Sequence, residues 1–224
     1  MNNTYLVIPF KGLETAKSRL SPLLPPDARQ KLSLAMLLDV ITAAKKSKMF
    51  KKILIVTTDR KFKVSYKGVT LIFESPPYDL NKAVQLGVDF CSKHGAKAAL
   101  ILPADLPLIT PSDIKNIIKM GEPDEKVVVI SPSESNGTNA LFMKPPGIIP
   151  PYFGEDSFNK HISASRERGV SVKVYTSPTI KTDIDYINTL LINALNLGKN
   201  TKKVIDVIKN HLKVEGKTLQ PSAI

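Results

Sequence analysis

Three cations follow an apolar run near the start of the chain: Lys11, Lys17 and Arg19 lie beyond Tyr5-Leu6-Val7-Ile8. The run reads as a buried parallel strand, and Pro9 ends its ladder donation. A strand that empties into a loop with three positive side chains is a place to hold a polyphosphate; the plain alternative is a solvated basic loop. A second anchor is Asp105, which Ala98-Ala99-Leu100-Ile101-Leu102 delivers through Pro103-Ala104. A carboxylate at the mouth of a sheet suits a hard divalent cation such as Mg²⁺, which takes one or two carboxylates and leaves its other positions to phosphates and waters. The alternative for Asp105 is a turn approaching the next helix. Asp183 and Asp185 precede another helix, and either could complete such a metal site. Residues two apart in an extended segment point to opposite faces, however, and Asp185 also reads as a simple helix cap.

The usual phosphate-binding glycine patterns are absent. There is no GxxxxGK[ST] and no GxGxxG, and Gly12 is the only glycine before Gly68. A phosphate site here would depend on lysine and arginine charge plus loop amides. No Ser-His-Asp arrangement stands out. His161, four residues after Ser157 on an expected helix, is the only histidine near these positions; His94 and His211 fall on expected helix surfaces.

The elements that must position these residues alternate. Strands are expected at Tyr5–Ile8, Lys52–Thr57, Val69–Phe73, Ala98–Leu102, Val127–Ile130, Ala140–Met143 and Val170–Tyr175. Asp27 is the expected N-cap of a helix reaching about Lys46, with Leu32, Ala35, Met36, Val40 and Ala43 as its buried face. Further helices are expected from Leu80 to Lys93, closed by Gly95; from the Thr110-Pro111 start to Gly121; and near Glu155–Arg168. Two more follow. One comes after Asp185, with Ile187, Leu190, Leu191, Ala194 and Leu195 on its apolar face and Gly198 at its end. The other covers about Lys202–Lys213, with Val204, Ile205, Ile208 and Leu212 on one side. Alternating strands and helices predict an α/β fold of three layers, α/β/α, around a mainly parallel, Rossmann-like sheet. Ligands in such sheets bind beyond the carboxyl ends of the strands, which would bring the Lys11–Arg19 loop, Asp59, Glu74 and Asp105 to one crevice. The expected division is a main domain over residues 1–198 and a helix-and-tail extension over 199–224.

Composition narrows the function classes. Lys and Arg total 32 against 20 Asp and Glu, a net charge of +12 that favours anionic partners. No dense basic stripe, zinc-finger spacing or paired aromatic strand motif accompanies that charge, so nucleic acid is not an expected partner. No apolar run reaches the roughly 20 residues a membrane helix needs, so no membrane partner is expected. The start lacks the pattern of a signal peptide, and a single cysteine, Cys91, rules out an internal disulfide; a cytoplasmic location is expected.

The stretches IPFK at 8–11, KSRL at 17–20, LPADLPLIT at 102–110, NGTNAL at 136–141, FGEDSFNKH at 153–161 and DID at 183–185 resemble the 2-phospho-L-lactate guanylyltransferase family (CofC/FbiD type). That family is grouped with GT-A, molybdopterin-guanylyltransferase-like nucleotidyltransferases and serves coenzyme F420 biosynthesis. The resemblance runs over roughly residues 5–195. It implies Lys11, Lys17 and Arg19 at the nucleotide triphosphate, Asp105 with Asp183 and Asp185 at Mg²⁺, and Thr138, Asn139, Gly154 and Ser157 around a phosphorylated three-carbon acid. Asn81 falls in the element that touches the nucleotide, although Asp79 stands where the family has glycine, and Ser135-Asn136 replaces a more acidic, glycine-rich lead. Implied partners are GTP and 2-phospho-L-lactate, with phosphoenolpyruvate or 3-phosphoglycerate as alternative acceptors, and the resemblance suggests a homodimer. A sugar-nucleotide or molybdopterin enzyme fits the first loop less well, and a basic nucleic-acid-binding protein has only the charge in its favour.

Overall fold

Along the strands, successive side chains point to opposite sides of the sheet, and here both sides are apolar. Leu6, Ile8, Ile53, Ile55, Leu100, Val127, Val129 and Phe142 enter one core, while Tyr5, Val7, Leu54, Val56, Ile101, Val128, Leu141 and Met143 enter the other. A sheet buried on both faces needs helices on both. The computed structural model, which describes residues 3–14, 17–64, 66–182 and 196–214, supplies them.

The described residues form one seven-stranded sheet of β1 (Thr4–Pro9), β2 (Phe50–Thr57), β3 (Val69–Phe73), β4 (Ala98–Ile101), β5 (Val127–Pro132), β6 (Thr138–Lys144) and β7 (Ser171–Val174). Its order is β3-β2-β1-β4-β6-β5-β7. All neighbouring pairs are parallel except those of β6, which runs antiparallel to both β4 and β5. Helices α1 (Pro26–Ser47) and α3 (Pro111–Gly121) cover one face; α2 (Leu80–Lys93) and α4 (Ser157–Glu167) cover the other. The expected three-layer α/β/α arrangement is what forms.

Local chemistry sets most helix ends. Asp79 caps α2 by accepting the Lys82 N–H, and Gly95, at φ 68°, takes the left-handed turn just past its end. Thr110 and Asp113 form a reciprocal capping box at the start of α3, with Pro111 at its first position. Helix α1 departs from expectation: its N-cap is Pro25, and Asp27 sits inside the first turn. Pro26 already has a helical φ and no N–H to satisfy, so the helix can start one residue early, with the Asp27 charge near its positive end. The buried face of α1 is also wider than the one expected, because Leu37, Ile41 and Ala44 join it. One side meets the sheet, and Leu32 and Met36 on another meet α6 (Lys199–Val214). A short helix, α5 (Pro178–Lys181), was not expected. The helix expected after Asp185, with its apolar face, lies outside the described residues.

Helix α6 is tied to α1 by a buried carboxylate. Asp39 Oδ1 accepts the Asn200 N–H at 3.0 Å and the Asn200 side-chain amide at 2.8 Å, and Oδ2 accepts the Thr201 N–H at 2.8 Å. Asp39 therefore caps a helix that begins 160 residues later. Below it, Leu20, Leu24, Leu32, Met36, Leu108, Leu197, Ile205 and Ile208 form a third, smaller core. Replacing Asp39 by Ala strands these donors, and an unsatisfied buried donor costs about 1–3 kcal/mol. We expect Asp39→Ala to lower the unfolding free energy in urea by at least about 2 kcal/mol and to make α6 the first site of tryptic cleavage; unchanged stability would remove the cap from this account.

Candidate functional site

Strand order reverses between β1 and β4: the chain leaves β1 for β2 and β3 on one side, then returns to lay β4 on the other. Loops from two such strands diverge and leave a crevice at their carboxyl ends. A cleft of about 330 Å³ opens there, lined by Lys11, Gly12, Lys17, Ser18, Arg19, Tyr78, Asp105 and Phe153 among others. A second hollow of about 490 Å³ shares Lys11, Gly12 and Tyr78 with it and extends over Thr58, Asp59, Arg60 and Pro76.

The floor of the cleft is a charge pair. Lys17 Nζ lies 2.8 Å from Asp105 Oδ2, with the lysine side chain 9% exposed and the aspartate 33%. Lys17 has a left-handed backbone (φ 47°, ψ 47°) at the head of a single 3-10 turn, Ser18–Leu20. Non-glycine residues in that region carry strain, which is most often tolerated where function needs the geometry. Gly12, at φ 105°, is required in the same loop, since an added Cβ would stand 2.8 Å from Asp59 Cβ. Asp59 in turn accepts the backbone N–H groups of Lys61 and Phe62, which fixes the loop after β2. Burial, and then the negative charges of Glu74, Asp105 and Asp79, push the Tyr78 hydroxyl well above its ordinary value, so Tyr78 stays a neutral donor at the meeting point of the two hollows.

The residues expected around an acceptor adjoin this cleft through Phe153. Because β6 is antiparallel, its first residues, Thr138 and Asn139, lie at the edge where the parallel strands end. Ser157 Oγ donates to Thr138 Oγ1 at 3.1 Å, and both are buried. Gly154, at φ 120°, turns the chain into α4 and accepts the Ser157 N–H at 3.2 Å. Asn139 is committed elsewhere: its Nδ2 donates to the carbonyls of Ile180 and Lys181 at 2.9 and 3.1 Å. Asn81 spends both ends of its amide on the backbone of Phe153. Asp183 and Asp185 lie outside the described residues, but the run before them is held. Asp113 accepts hydrogen bonds from Tyr175, Ser177 and Thr179; burial alone would raise its pKa, and bonds from Ser177, Thr110 and Thr179 hold it below its ordinary value. Among the described residues no cluster of three His, Cys, Asp or Glu side chains is placed to hold a metal. Asp105 by itself fits magnesium, which needs only one or two carboxylates where phosphates supply the rest.

The histidine near the site is not on a surface. His161 is fully buried, with Nε2 taking the Tyr152 N–H at 2.9 Å and Nδ1 lying 3.1 Å from Thr138 Oγ1. The four-residue spacing from Ser157 flagged it; nothing local revealed its two partners.

With this geometry established, comparison with known proteins assigns the family. Residues 4–220 match the model described as guanylyl transferase CofC like. The chain belongs to the CofC-like guanylyltransferase family. This match extends beyond the stretch over which the motifs alone carried the resemblance. A phosphoenolpyruvate guanylyltransferase from Rubrobacter xylanophilus is 36% identical over 185 residues, 82% of this chain and 89% of that one. A 2-phospho-L-lactate guanylyltransferase from Methanothermobacter thermautotrophicus is 35% identical over 184 residues, 81% of this chain and 80% of that one. Two solved structures share the fold at low identity. One is a proposed nucleotide-diphospho-sugar transferase from Desulfovibrio desulfuricans (TM-score 0.73, 12% identity, 98% of this chain and 100% of that one). The other is a cytidylyltransferase from Leptospira borgpetersenii (TM-score 0.58, 13% identity, 100% and 99%). As a CofC-like guanylyltransferase the chain is a nucleotidyltransferase, and no helix among its described residues is long and apolar enough to cross a membrane.

Burial holds the His161 imidazole down from 6.5 to about 4. The unfolded chain therefore takes up a proton between pH 6.5 and 4 that the folded protein refuses. Stability is full above pH 6.5 and falls on acidification through that window, by up to about 3 kcal/mol. In urea titrations from pH 7 to 4.5, His161→Gln should lose stability less steeply than the wild type; parallel pH profiles would contradict a neutral buried imidazole.

Proposed function

We propose that this protein transfers the GMP moiety of GTP to 2-phospho-L-lactate, giving lactyl-2-diphospho-5'-guanosine and pyrophosphate. The observation that carries the reading is the meeting of the Lys11–Arg19 loop with Asp105 in one cleft, beside the Thr138–Ser157 pair, in a chain of this family. An oxygen of the acceptor phosphate attacks the α-phosphorus in line, the bond from the α-phosphorus to the β-phosphate oxygen breaks, and pyrophosphate leaves. Joining two polyanions is opposed by repulsion, so positioning and charge neutralisation supply most of the catalysis. Lys11, Lys17 and Arg19 bind the triphosphate and stabilise the charge that grows on the departing pyrophosphate. A phosphate monoester is largely ionised near neutral pH, so no strong general base is required. Thr138, Gly154 and Ser157 surround the three-carbon acid. Asp105, with Asp183 and Asp185, would hold Mg²⁺, which when bound neutralises the reacting phosphates.

Phosphoenolpyruvate is the second reading, favoured by the 36% identical relative named for that substrate. The two acids differ at one carbon–carbon bond, a difference that a few contacts worth about 1–3 kcal/mol can resolve.

Pyrophosphate release with GTP and Mg²⁺ should require one of these acids and should be lost without the metal; release with neither acid would sink the reading. Lys17→Met should keep the fold and lower turnover by about 100-fold or more. Because the Lys17 ammonium is the present counter-ion of Asp105, the same variant should bind Mn²⁺ more tightly than wild type without nucleotide, as read by electron paramagnetic resonance. Equal or weaker binding would take Asp105 out of the metal site.

A further inference from the structure

Tyr152, Phe153 and Gly154 form a strap between the two halves of the site, and its backbone is gripped from both. On the nucleotide side, Asn81 in the first turn of α2 holds the two peptide groups that flank Phe153: the Phe153 N–H donates to Oδ1 at 2.7 Å, and Nδ2 donates to the Phe153 carbonyl at 3.1 Å. On the acceptor side, His161 in α4 receives the Tyr152 N–H on Nε2 at 2.9 Å. A nitrogen that accepts carries no proton, so the neutral ring keeps its proton on Nδ1, where Thr138 Oγ1 is 3.1 Å away. The Ser157 hydroxyl donates to the same oxygen at 3.1 Å. Two donors fill both lone pairs of the Thr138 hydroxyl, which leaves its own proton to be given to a third group. An anionic acceptor phosphate or carboxylate is such a group.

We propose that Asn81 and His161 are paired positioning residues for the acceptor acid. Together they hold the 152–154 strap, and His161 turns the Thr138 hydroxyl into a donor of fixed direction. This rests on the guanylyl-transfer reading above. It gives Asn81 a role different from the nucleotide contact that its sequence element implies, because both ends of its amide are already engaged by Phe153. It also joins the two substrates mechanically. The Phe153 side chain lines the phosphate cleft and meets His161 edge-on at 5.1 Å between ring centres, while Gly154, next in the chain, leads into Ser157.

The experiment compares wild type, Asn81→Ala, His161→Gln and the double variant, with GTP and whichever acid the wild type uses. Losing one hydrogen bond's worth of orientation should raise the KM of the acid about tenfold in each single variant, with the KM of GTP unchanged. The double variant should be little worse than either single one, because both residues serve one strap. A raised KM for GTP with an unchanged KM for the acid in Asn81→Ala would make Asn81 a nucleotide ligand and overturn the proposal. Amide hydrogen exchange at Tyr152 and Phe153, measured without substrate, supplies a readout independent of turnover. Exchange should quicken at both amides in every variant, and unchanged protection would overturn the strap. If wild type turns over neither acid, the functional reading falls and acceptor positioning with it, while exchange still decides whether the strap exists. Should His161→Gln fail to fold, Asn81→Ala, at a half-buried position, carries both measurements alone.

Discussion

The interior strand β1 is buried along its whole length, paired on one edge with β2 and on the other with β4. That constraint organises the molecule. A strand enclosed on both faces and both edges can release its chain only at its ends, so the loop with Lys11, Lys17 and Arg19 has to stand at the carboxyl edge of the sheet. The same rule applied to β4 puts Asp105 at the same edge. A buried ammonium and a carboxylate 2.8 Å apart would be costly anywhere water is excluded without a partner. Here each is the other's partner, and the pair waits where polyanions would arrive.

The single antiparallel strand completes the arrangement. If β6 ran with its neighbours, Thr138 and Asn139 would start at the amino edge, the full height of the sheet away from Lys17. Reversal lets the start of one strand meet the ends of the others. The loop from Ser133 to Gly137 makes this possible: Gly137 donates its N–H to Ser133 Oγ at 2.8 Å, and Asn136 adopts a left-handed backbone at φ 61°. The turn chemistry of five residues thus decides on which edge Thr138, in the proposed acceptor half of the site, stands.

What the sequence made legible depended on how local the deciding interaction was. The limits of α2 and the start of α3 rest on Asp79, Gly95 and the Thr110-Pro111-Asp113 box, all within a turn of the helix they control, and Gly95 and Thr110-Pro111 alone were enough to read them. The unbroken apolar runs Tyr5–Ile8 and Ala98–Leu102 marked strands buried on both faces for the same reason, and their alternation with helices implied the layers. Helix α5 could not be read, because four residues with no strong signal of their own are held by Asn139 from β6, with Asp113 from α3 gripping the residues around them. The cap that Asp39 places on α6 acts across 160 residues and leaves no mark in either segment. In the site, residue types were legible and partnerships were not. A motif position marks Asn81 and Asn139 as important, but an amide serves a carbonyl as readily as a ligand, and only the fold decides which it meets.

The small core under α6 has a consequence for how the protein fails. Its members include Leu20, the last residue of the turn that presents Lys17 and Arg19, and Leu108, three residues past Asp105. Both halves of the charged floor therefore rest on the same apolar footing, and that footing is closed from outside by Ile205 and Ile208. Fraying of α6 and loosening of the turn that carries Lys17 and Arg19 are then one cooperative event. A peripheral helix outside the candidate cleft becomes its thermostat, and detachment of that helix is felt at the cleft before the sheet begins to melt.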